Sequence, residues 1–228
     1  MSVAEGLAEV HERIARAAEA AGRDPATVRL IAVSKTKPAA AIREAYAAGQ
    51  RDFGENYAQE LVQKAEELSD LSDLRWHFIG HLQSNKARVV VRAAHVVHTV
   101  DGPTLARELG KRAASEGRGD TRERMPVLVE VNVGGEAQKH GSTAADLGAV
   151  LAAVDAEPAL VLRGLMTMPP NDLEAARSAF ESLASLRALH GGAERLPELS
   201  MGMSDDLEVA IACGATLVRV GTAVFGSR

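Results

Sequence analysis

The chain has 228 residues, 46% of them hydrophobic and only 3% aromatic, and its formal net charge is −5. This length and apolar content can bury a full core in one or two domains. A negative charge without a basic stripe argues against a nucleic-acid partner. The single cysteine, Cys213, excludes an internal disulfide and a multi-cysteine metal site, and no apolar run is long enough to span a bilayer. We therefore expect a cytoplasmic protein with no membrane partner.

Short apolar runs alternate with helical periodicities after a first amphipathic helix. That helix is predicted over 3–21, with Leu7, Val10, Ile14 and Ala18 on one stripe. The predicted strands, each bounded by turn residues, cover 30–35, 52–55, 76–80, 95–100, 127–133, 161–168, 199–203 and 216–220. The helices predicted between them cover 38–48, 57–68, 84–94, 103–115, 143–154, 172–189 and 204–213.

Eight strands alternating with helices favour a (β/α)8 barrel over an open doubly wound sheet, which usually has fewer strands. No long helix follows the last predicted strand, so the 3–21 helix is expected to take that place in the outer ring. No linker or change of composition divides the chain. The prediction is an α/β protein with one domain over residues 1–228, a TIM barrel whose N-terminal helix completes the ring.

Functional groups of such barrels lie at the carboxyl ends of the strands, and the first predicted strand ends at Lys35. There the apolar stem of a lysine is desolvated while its amine faces a cleft. Desolvation lowers the pKa of a lysine, which a Schiff-base nucleophile requires. The alternative is that Lys35 and the nearby Lys37 are ordinary solvated loop residues.

The loops after the last two strands contain the ingredients of a phosphate site, as in many barrels. Ser204 is interpreted as the N-cap of a helix whose unpaired amides would favour an anion. Gly221 and Thr222 offer an unobstructed backbone and a hydroxyl at the neighbouring strand end. The alternatives are that Asp205 and Asp206 already complement the helix dipole, and that the glycine makes a simple turn.

Arg219 lies within the last apolar strand, where its permanent charge needs a partner. That partner is either Glu130, in a structural ion pair, or a ring nitrogen that the arginine keeps unprotonated. Met166 could pack against a flat ring, or it could simply fill the core. A lysine, a phosphate cradle and an arginine between them describe a site for pyridoxal 5′-phosphate (PLP).

Other polar groups near the predicted strand ends are given structural roles. His77 and His81 are not expected to bind metal, because no acid or histidine has suitable spacing beside them. Asp101 could act as a base, but we favour a role as a helix cap because Gly102 and Pro103 follow it.

Five segments together resemble the PLP homeostasis protein family: VSKTKP at 33–38, FGEN at 53–56, HFIGHLQSNK at 77–86, LSMGMSDD at 199–206 and VRVGTAVFG at 218–226. The resemblance covers nearly the whole chain. It implies a barrel like the N-terminal domain of alanine racemase, with PLP held as a Schiff base on Lys35 and not on Lys37. Matching motif positions further implies that Asn56 lies near the cofactor and that Arg219 faces the pyridine nitrogen. The phosphate would be held by Ser200, Ser204, Gly221 and Thr222.

The same resemblance implies a role in binding, buffering or delivering PLP, with an effect on amino-acid and keto-acid balance. Candidate recipients are PLP-dependent apoenzymes, and the expected state is a monomer. Catalysis is not expected, because PLP chemistry needs a second acid or base on the opposite face of the cofactor, and an arginine at the ring nitrogen weakens the electron sink. The alternatives are a weak PLP-dependent amino-acid racemase and a PLP-free Schiff-base aldolase acting on a phosphorylated sugar.

Overall fold

The structure, a computed structural model, describes residues 2–135 and 140–226. Eight parallel strands form one closed sheet in sequence order, and the last pairs with the first, which confirms the predicted (β/α)8 barrel. The strands are Arg29–Val33 (β1), Asp52–Glu55 (β2), Arg75–Phe78 (β3), Val96–Val100 (β4), Met125–Glu130 (β5), Leu160–Met166 (β6), Glu198–Ser200 (β7) and Leu217–Val220 (β8). Most of their residues are buried, because parallel strands lie between the outer helices and the barrel interior.

Helices surround this sheet. They are Val3–Ala20 (α1), Ala39–Ala47 (α2), Ala58–Glu67 (α3), Ala87–Ala93 (α4), Pro103–Ser115 (α5), Leu147–Asp155 (α6), Leu173–Leu189 (α7), Gly192–Arg195 (α8), Leu207–Ala212 (α9) and Thr222–Phe225 (α10). Within the described residues, no helix is both long and apolar enough to cross a lipid bilayer.

Helix α1 completes the outer ring as predicted. It begins with a capping box, in which Ser2 and Glu5 satisfy each other's backbone amides. Its apolar stripe is buried, and the helix packs against α9, α10 and α2. Contact with α10 is close: a Cβ on Gly6 would lie 2.7 Å from the carbonyl oxygen of Ala223. Glycine is therefore required where the first and last helices meet.

Two layers of core hold the barrel together. The larger lies between the sheet and the helices, and the smaller, inside the barrel, contains Ile31, Leu128, Met166 and Leu217. Close-packed aliphatic side chains fill the interior of such barrels. Polar side chains share this interior on the side of β3, β4, β7 and β8, and they form part of the site described below.

Two predicted helices begin later than expected because side chains bind the backbone ahead of them. Thr143 and Asp146 form a local turn, with the Thr143 hydroxyl 2.7 Å from Asp146 Oδ2, so α6 starts at Leu147. Asp146 is thus the last residue before the helix and not part of it. Similarly, the carboxylate of Asp206 accepts a hydrogen bond from the backbone amide of Met203, and α9 starts only at Leu207. The short helices α8 and α10 were not predicted.

Candidate functional site

Lys35 lies half-buried in a tight turn at the carboxyl end of β1. The amide of Lys37 closes this turn by donating 3.0 Å to the carbonyl of Ser34. The next residue, Thr36, has a φ of +63°, a left-handed conformation that is uncommon outside glycine. Its amide donates 2.6 Å to Glu60 of α3. The turn that presents Lys35 is therefore strained and is held by a neighbouring helix, as is common at functional sites.

A buried charge cluster supports this turn from below. Lys64 of α3 donates to the carbonyl of Ser34 at 2.6 Å and to the carboxylates of Glu55 and Glu60, each at 2.7 Å. The Ser34 hydroxyl also donates 2.6 Å to Glu55. Burial raises the pKa of Glu55 by more than the bonds from Lys64 and Ser34 lower it. The cluster fixes the backbone on the amino side of Lys35.

The two lysines of the turn differ in their surroundings. Lys37 Nζ donates to the carbonyl oxygens of Phe225 and Gly226, at 3.2 and 3.0 Å, where α10 ends. Lys35 Nζ has no hydrogen-bond or ion-pair partner among residues 2–135 and 140–226. The amine available for chemistry in this turn is that of Lys35.

A cleft of about 510 Å³ opens at the carboxyl ends of the strands. Its lining comprises Asn56, Ile79, Gly80, His81, Glu130, His140, Met168, Pro169, Pro170, Asn171 and Met203. Asn56 is therefore the one predicted site residue that lines this cleft. Its Oδ1 atom is buried and has no partner among the described residues. Gly80 allows the backbone of Asn56 to lie close to it, because a Cβ at position 80 would overlap the carbonyl oxygen of Asn56.

The last strand brings the predicted phosphate turn to the lysine turn. β1 and β8 are paired, with Ala32 opposite Val220. A Cβ on Gly221 would lie 3.1 Å from the carbonyl oxygen of Val33, so glycine permits this close packing. Thr222 is exposed and begins α10, whose first amides have no partner within the helix.

Ser204 is not the N-cap that the sequence predicts. It lies in a turn before α9, and Asp206 precedes the first helical residue. The Ser204 carbonyl instead accepts a 2.8 Å bond from Arg13 of α1. Its side chain is still partly exposed at the end of β7.

Arg219 is 3% exposed and points into the barrel interior, where it has three partners. Its guanidinium donates to Ser200 Oγ at 2.7 Å, to the carbonyl of Thr167 at 2.9 Å and to Met168 Sδ at 3.2 Å. Burial lowers its pKa to about 10, opposed by the negative charge of Glu130. No ion pair within 4 Å joins Arg219 to Glu130, both of which are described, so the ion pair that the sequence left open as one alternative is not formed.

Comparison with known proteins shows the family to which this chain belongs. The family model for the alanine racemase N-terminal domain matches residues 6–228. The PLP homeostasis protein of Pseudomonas aeruginosa is 53% identical over 100% of this chain and 96% of its own length. That of Escherichia coli K12 is 44% identical over 99% and 97%.

The chain belongs to the PLP homeostasis protein family. Among solved structures, PipY of Synechococcus elongatus PCC7942 without PLP has a TM-score of 0.86 and 42% identity, covering 99% of this chain and 100% of PipY. PipY with PLP bound has a TM-score of 0.83 and 41% identity over the same shares. The alanine racemase of Corynebacterium glutamicum, at 19% identity and a TM-score of 0.66, shares the fold.

Two of the predicted site residues of this family member lie deeper than expected. Met166 is fully buried in the inner core, the alternative that the sequence left open. The methionine beside Arg219 at the cleft is Met168, which is 40% exposed. Ser200 is also fully buried, and its hydroxyl contacts both Arg219 and His98 Nδ1, the latter at 2.9 Å.

Glu130 was considered from the sequence only as a partner of Arg219. It is buried at the end of β5, lines the cleft, and has a pKa raised to about 7. Burial is the main cause, Asp101 adds repulsion, and Arg219 lowers the value. The cleft of this homeostasis-family protein thus contains a carboxyl group that exchanges a proton near neutral pH. A glutamate at the end of an apolar strand was the signal that could have identified it.

The histidines also correct a prediction. His81, Asp101 and His140 offer ligand atoms within 4.8 Å of one another, so a cluster that could hold a metal ion does exist beside His81. Sequence spacing did not reveal it because the three residues come from different loops. Asp101 does not cap α5: the N-cap of this helix is Gly102, and no side chain in the described part of the chain caps it. Its carboxylate lies 3.7 Å from His81 Nδ1.

Proposed function

We propose that this protein binds PLP through Lys35 and holds or releases the cofactor without catalysis. One observation carries the proposal: Gly221 packs against Val33 at the paired ends of β1 and β8, and Val33 leads directly into the turn that presents Lys35, whose amine has no partner among the described residues. An aldehyde and a phosphate ester on one small molecule need those two features side by side. The name of the relatives and the PLP-bound state of PipY support the same ligand.

The residues present fit this ligand. Asn56 presents to the cleft a buried oxygen that has no partner among the described residues, and Gly221 lets the end of β8 lie close to the end of β1. When bound, PLP supplies an aldehyde that condenses with an amine. Lys35 would provide that amine, and Arg219 would face the ring nitrogen. Met168, rather than Met166, would lie beside the ring because it lines the cleft.

The phosphate would be held by Gly221, Thr222 and Ser204. These residues lie at the neighbouring carboxyl ends of β7 and β8, where barrels commonly bind phosphate. Ser200 is not included with them, because its hydroxyl is buried and already has two partners. We assign it the role of holding Arg219.

Our reason for proposing no catalysis is Arg219. A guanidinium remains protonated, so it cannot give a proton to the ring nitrogen, and the electron sink needed for carbanion chemistry is weakened. The role is therefore storage or delivery, with PLP-dependent apoenzymes as recipients. We further propose that residues 1–228 act as one domain and one monomer in the cytoplasm. Light scattering at several concentrations tests the monomer, and transfer of PLP to an apoenzyme tests delivery.

Reduction with sodium borohydride tests the binding proposal. Protein mixed with PLP should show an absorption band near that of a lysine-linked cofactor, and peptide mapping after reduction should place the adduct on Lys35. Lys35→Ala should abolish the band. Lys37→Ala is the matched control, because it removes a lysine of the same turn whose amine is already bound to Phe225 and Gly226. An adduct on Lys37 alone contradicts the proposal. The absence of any adduct also contradicts it, and favours the alternative of a PLP-free aldolase.

One observation favours a weak racemase as the second candidate: Glu130, with its pKa of about 7, can move a proton at the edge of the cleft. Incubating the PLP-loaded protein with single L-amino acids and following chirality separates the two functions. Our proposal expects no sustained turnover. Turnover that disappears in Glu130→Gln while PLP remains bound would establish the racemase.

A further inference from the structure

A chain of hydrogen bonds crosses the barrel interior from Arg219 to the opposite end of the sheet. Arg219 contacts Ser200 Oγ at 2.7 Å, and Ser200 Oγ contacts His98 Nδ1 at 2.9 Å. His98 Nε2 then lies 2.9 Å from His77 Nδ1, and His77 Nε2 lies 2.8 Å from Asp52 Oδ1. Ser200, His98, His77 and Asp52 are all buried. The chain therefore joins the candidate site to the amino end of β2.

The hydrogen bonds of this chain all run in one donor-to-acceptor direction, from Arg219 towards Asp52. A guanidinium can only donate, so Ser200 Oγ accepts from Arg219 and its own proton must go elsewhere. Among the described residues, the remaining partner of that hydroxyl is His98 Nδ1, which must then be an unprotonated acceptor. His98 consequently carries its proton on Nε2 and donates it to His77 Nδ1. His77 in turn donates from Nε2 to the carboxylate of Asp52.

Burial favours the same arrangement. His98 is fully buried, and its pKa is lowered well below the ordinary value by desolvation first and by the charge of Arg219 among other groups. A neutral His98 has one proton and one acceptor, which is what the chain requires. If His77 were instead to donate to His98, the Ser200 hydroxyl would face two donors, and its proton would have no acceptor in the described part of the chain.

We propose that Asp52, His77, His98 and Ser200 are positioning residues that fix Arg219 for the ring nitrogen of the cofactor. Asp52 selects the tautomer of both histidines, and that selection leaves the Ser200 oxygen free to accept from Arg219. The inference rests on the proposed function for its ligand, but the proton arrangement is a property of the ligand-free protein.

Asp52 itself is oriented from outside. Arg75 donates 2.8 Å to its other carboxylate oxygen, Oδ2. In Asp52→Asn, the amide oxygen of the new side chain would face Arg75, because a guanidinium only donates hydrogen bonds and therefore needs an acceptor. The amide nitrogen would then face His77 Nε2 and donate to it. Both histidines would have to move their protons to Nδ1, and the Ser200 hydroxyl would lose its acceptor.

Nitrogen-15 NMR of the histidine rings in ligand-free protein tests this chain directly. In the wild type, His77 and His98 should both be neutral with the proton on Nε2. In Asp52→Asn, both should switch to the Nδ1 form. Asp70→Asn is the matched control, because Asp70 is also paired with an arginine, Arg43, but lies on the surface. A wild-type His98 that is protonated on Nδ1 overturns the proposal, whether or not any variant folds.

PLP titration is the second measurement. Asp52→Asn and Ser200→Ala should each weaken PLP binding by roughly threefold to tenfold, the usual effect of one lost hydrogen bond. The bound cofactor should also show a shifted absorption band, which a purely structural change would leave in place. Unchanged affinity and absorption in both variants contradict positioning. Correct tautomers in a protein that never binds PLP would instead contradict the proposed function alone.

Discussion

Lys64 Nζ lies 2.7 Å from Glu55 Oε1, and both side chains are buried beneath the turn that presents Lys35. The pair carries opposite charges in a place where neither could be left alone. Glu55 already has a second oxygen, Oε2, without a partner in the described part of the chain. The Lys64 ammonium is therefore essential to this part of the barrel, although it touches no proposed ligand.

Replacing Lys64 with methionine should destabilise the protein by about 3 to 5 kcal/mol, because an uncompensated carboxylate stays buried. Urea denaturation at neutral pH measures this loss. Lys111→Met, at an exposed helical position, is the control and should change stability by less than about 0.5 kcal/mol. Adding Glu55→Gln to Lys64→Met should recover part of the loss. Equal stability of the two lysine variants would contradict this account of the cluster.

Glu130 should make the protein less stable as the pH rises. Its folded pKa is about 7, raised from 4.5, so between these values the folded state keeps a proton that the unfolded state loses. The stabilisation by that proton is complete below pH 4.5 and is lost as the pH rises through 7. Glu130→Gln should thus stabilise the protein at pH 8 by about 2 to 3 kcal/mol, and by much less at pH 5.

Urea midpoints of Glu130→Gln and wild type, measured from pH 5 to pH 8, check this prediction. Glu66→Gln serves as the control because Glu66 is an exposed glutamate of α3. A difference between Glu130→Gln and wild type that stays constant across this pH range would show that Glu130 titrates normally.

Gly221→Ala should weaken PLP binding about tenfold while leaving the barrel folded. The added Cβ would lie 3.1 Å from the carbonyl oxygen and 3.3 Å from the Cβ of Val33, so the two turns must move apart by a few tenths of an ångström. Fluorescence titration with PLP measures the affinity. Gly102→Ala is the control, because no atom of the described residues, other than its own neighbours in the chain, lies within 4 Å of a Cβ built there. Identical affinities in the two variants would remove Gly221 from the proposed site.

At position 36 the protein should be more stable with glycine than with alanine, the reverse of the order expected within a helix. Its φ of +63° disfavours any side chain, and glycine alone adopts it freely. Thr36→Gly should therefore be more stable than Thr36→Ala by about 1 kcal/mol in thermal or urea unfolding. At Lys111, within α5, glycine should be less stable than alanine by a similar amount. The same order at both positions would contradict the strained turn.

Much of the barrel could be predicted because its signals are local. The bounds of β2, 52–55, and of α5, 103–115, match the prediction, since turn residues and a proline mark their ends. The start of α9 could not be placed from sequence. A Ser-Asp-Asp stretch is equally suited to a helix cap and to the turn that forms here, and the choice depends on the contact between Asp206 and Met203.

The interior chain was beyond sequence reasoning for a different reason. Asp52, His77 and His98 come from three different strands, and only the register between those strands brings their side chains together. Polar residues within otherwise buried strands were the available signal. That signal indicates a partner but does not identify it. The same limit explains why Met166, and not Met168, was expected to contact the ring.

The packing of α1 against α9 and α10 also affects how the protein is made. Helix α1 contacts α9 and α10 most extensively, and both of these helices are synthesised after it. Its stripe of Leu7, Val10 and Ile14 therefore stays incompletely covered until α9 and α10 have been made. Exposed apolar surface on a nascent chain invites aggregation, and for α1 this risk ends only when the ring of helices closes.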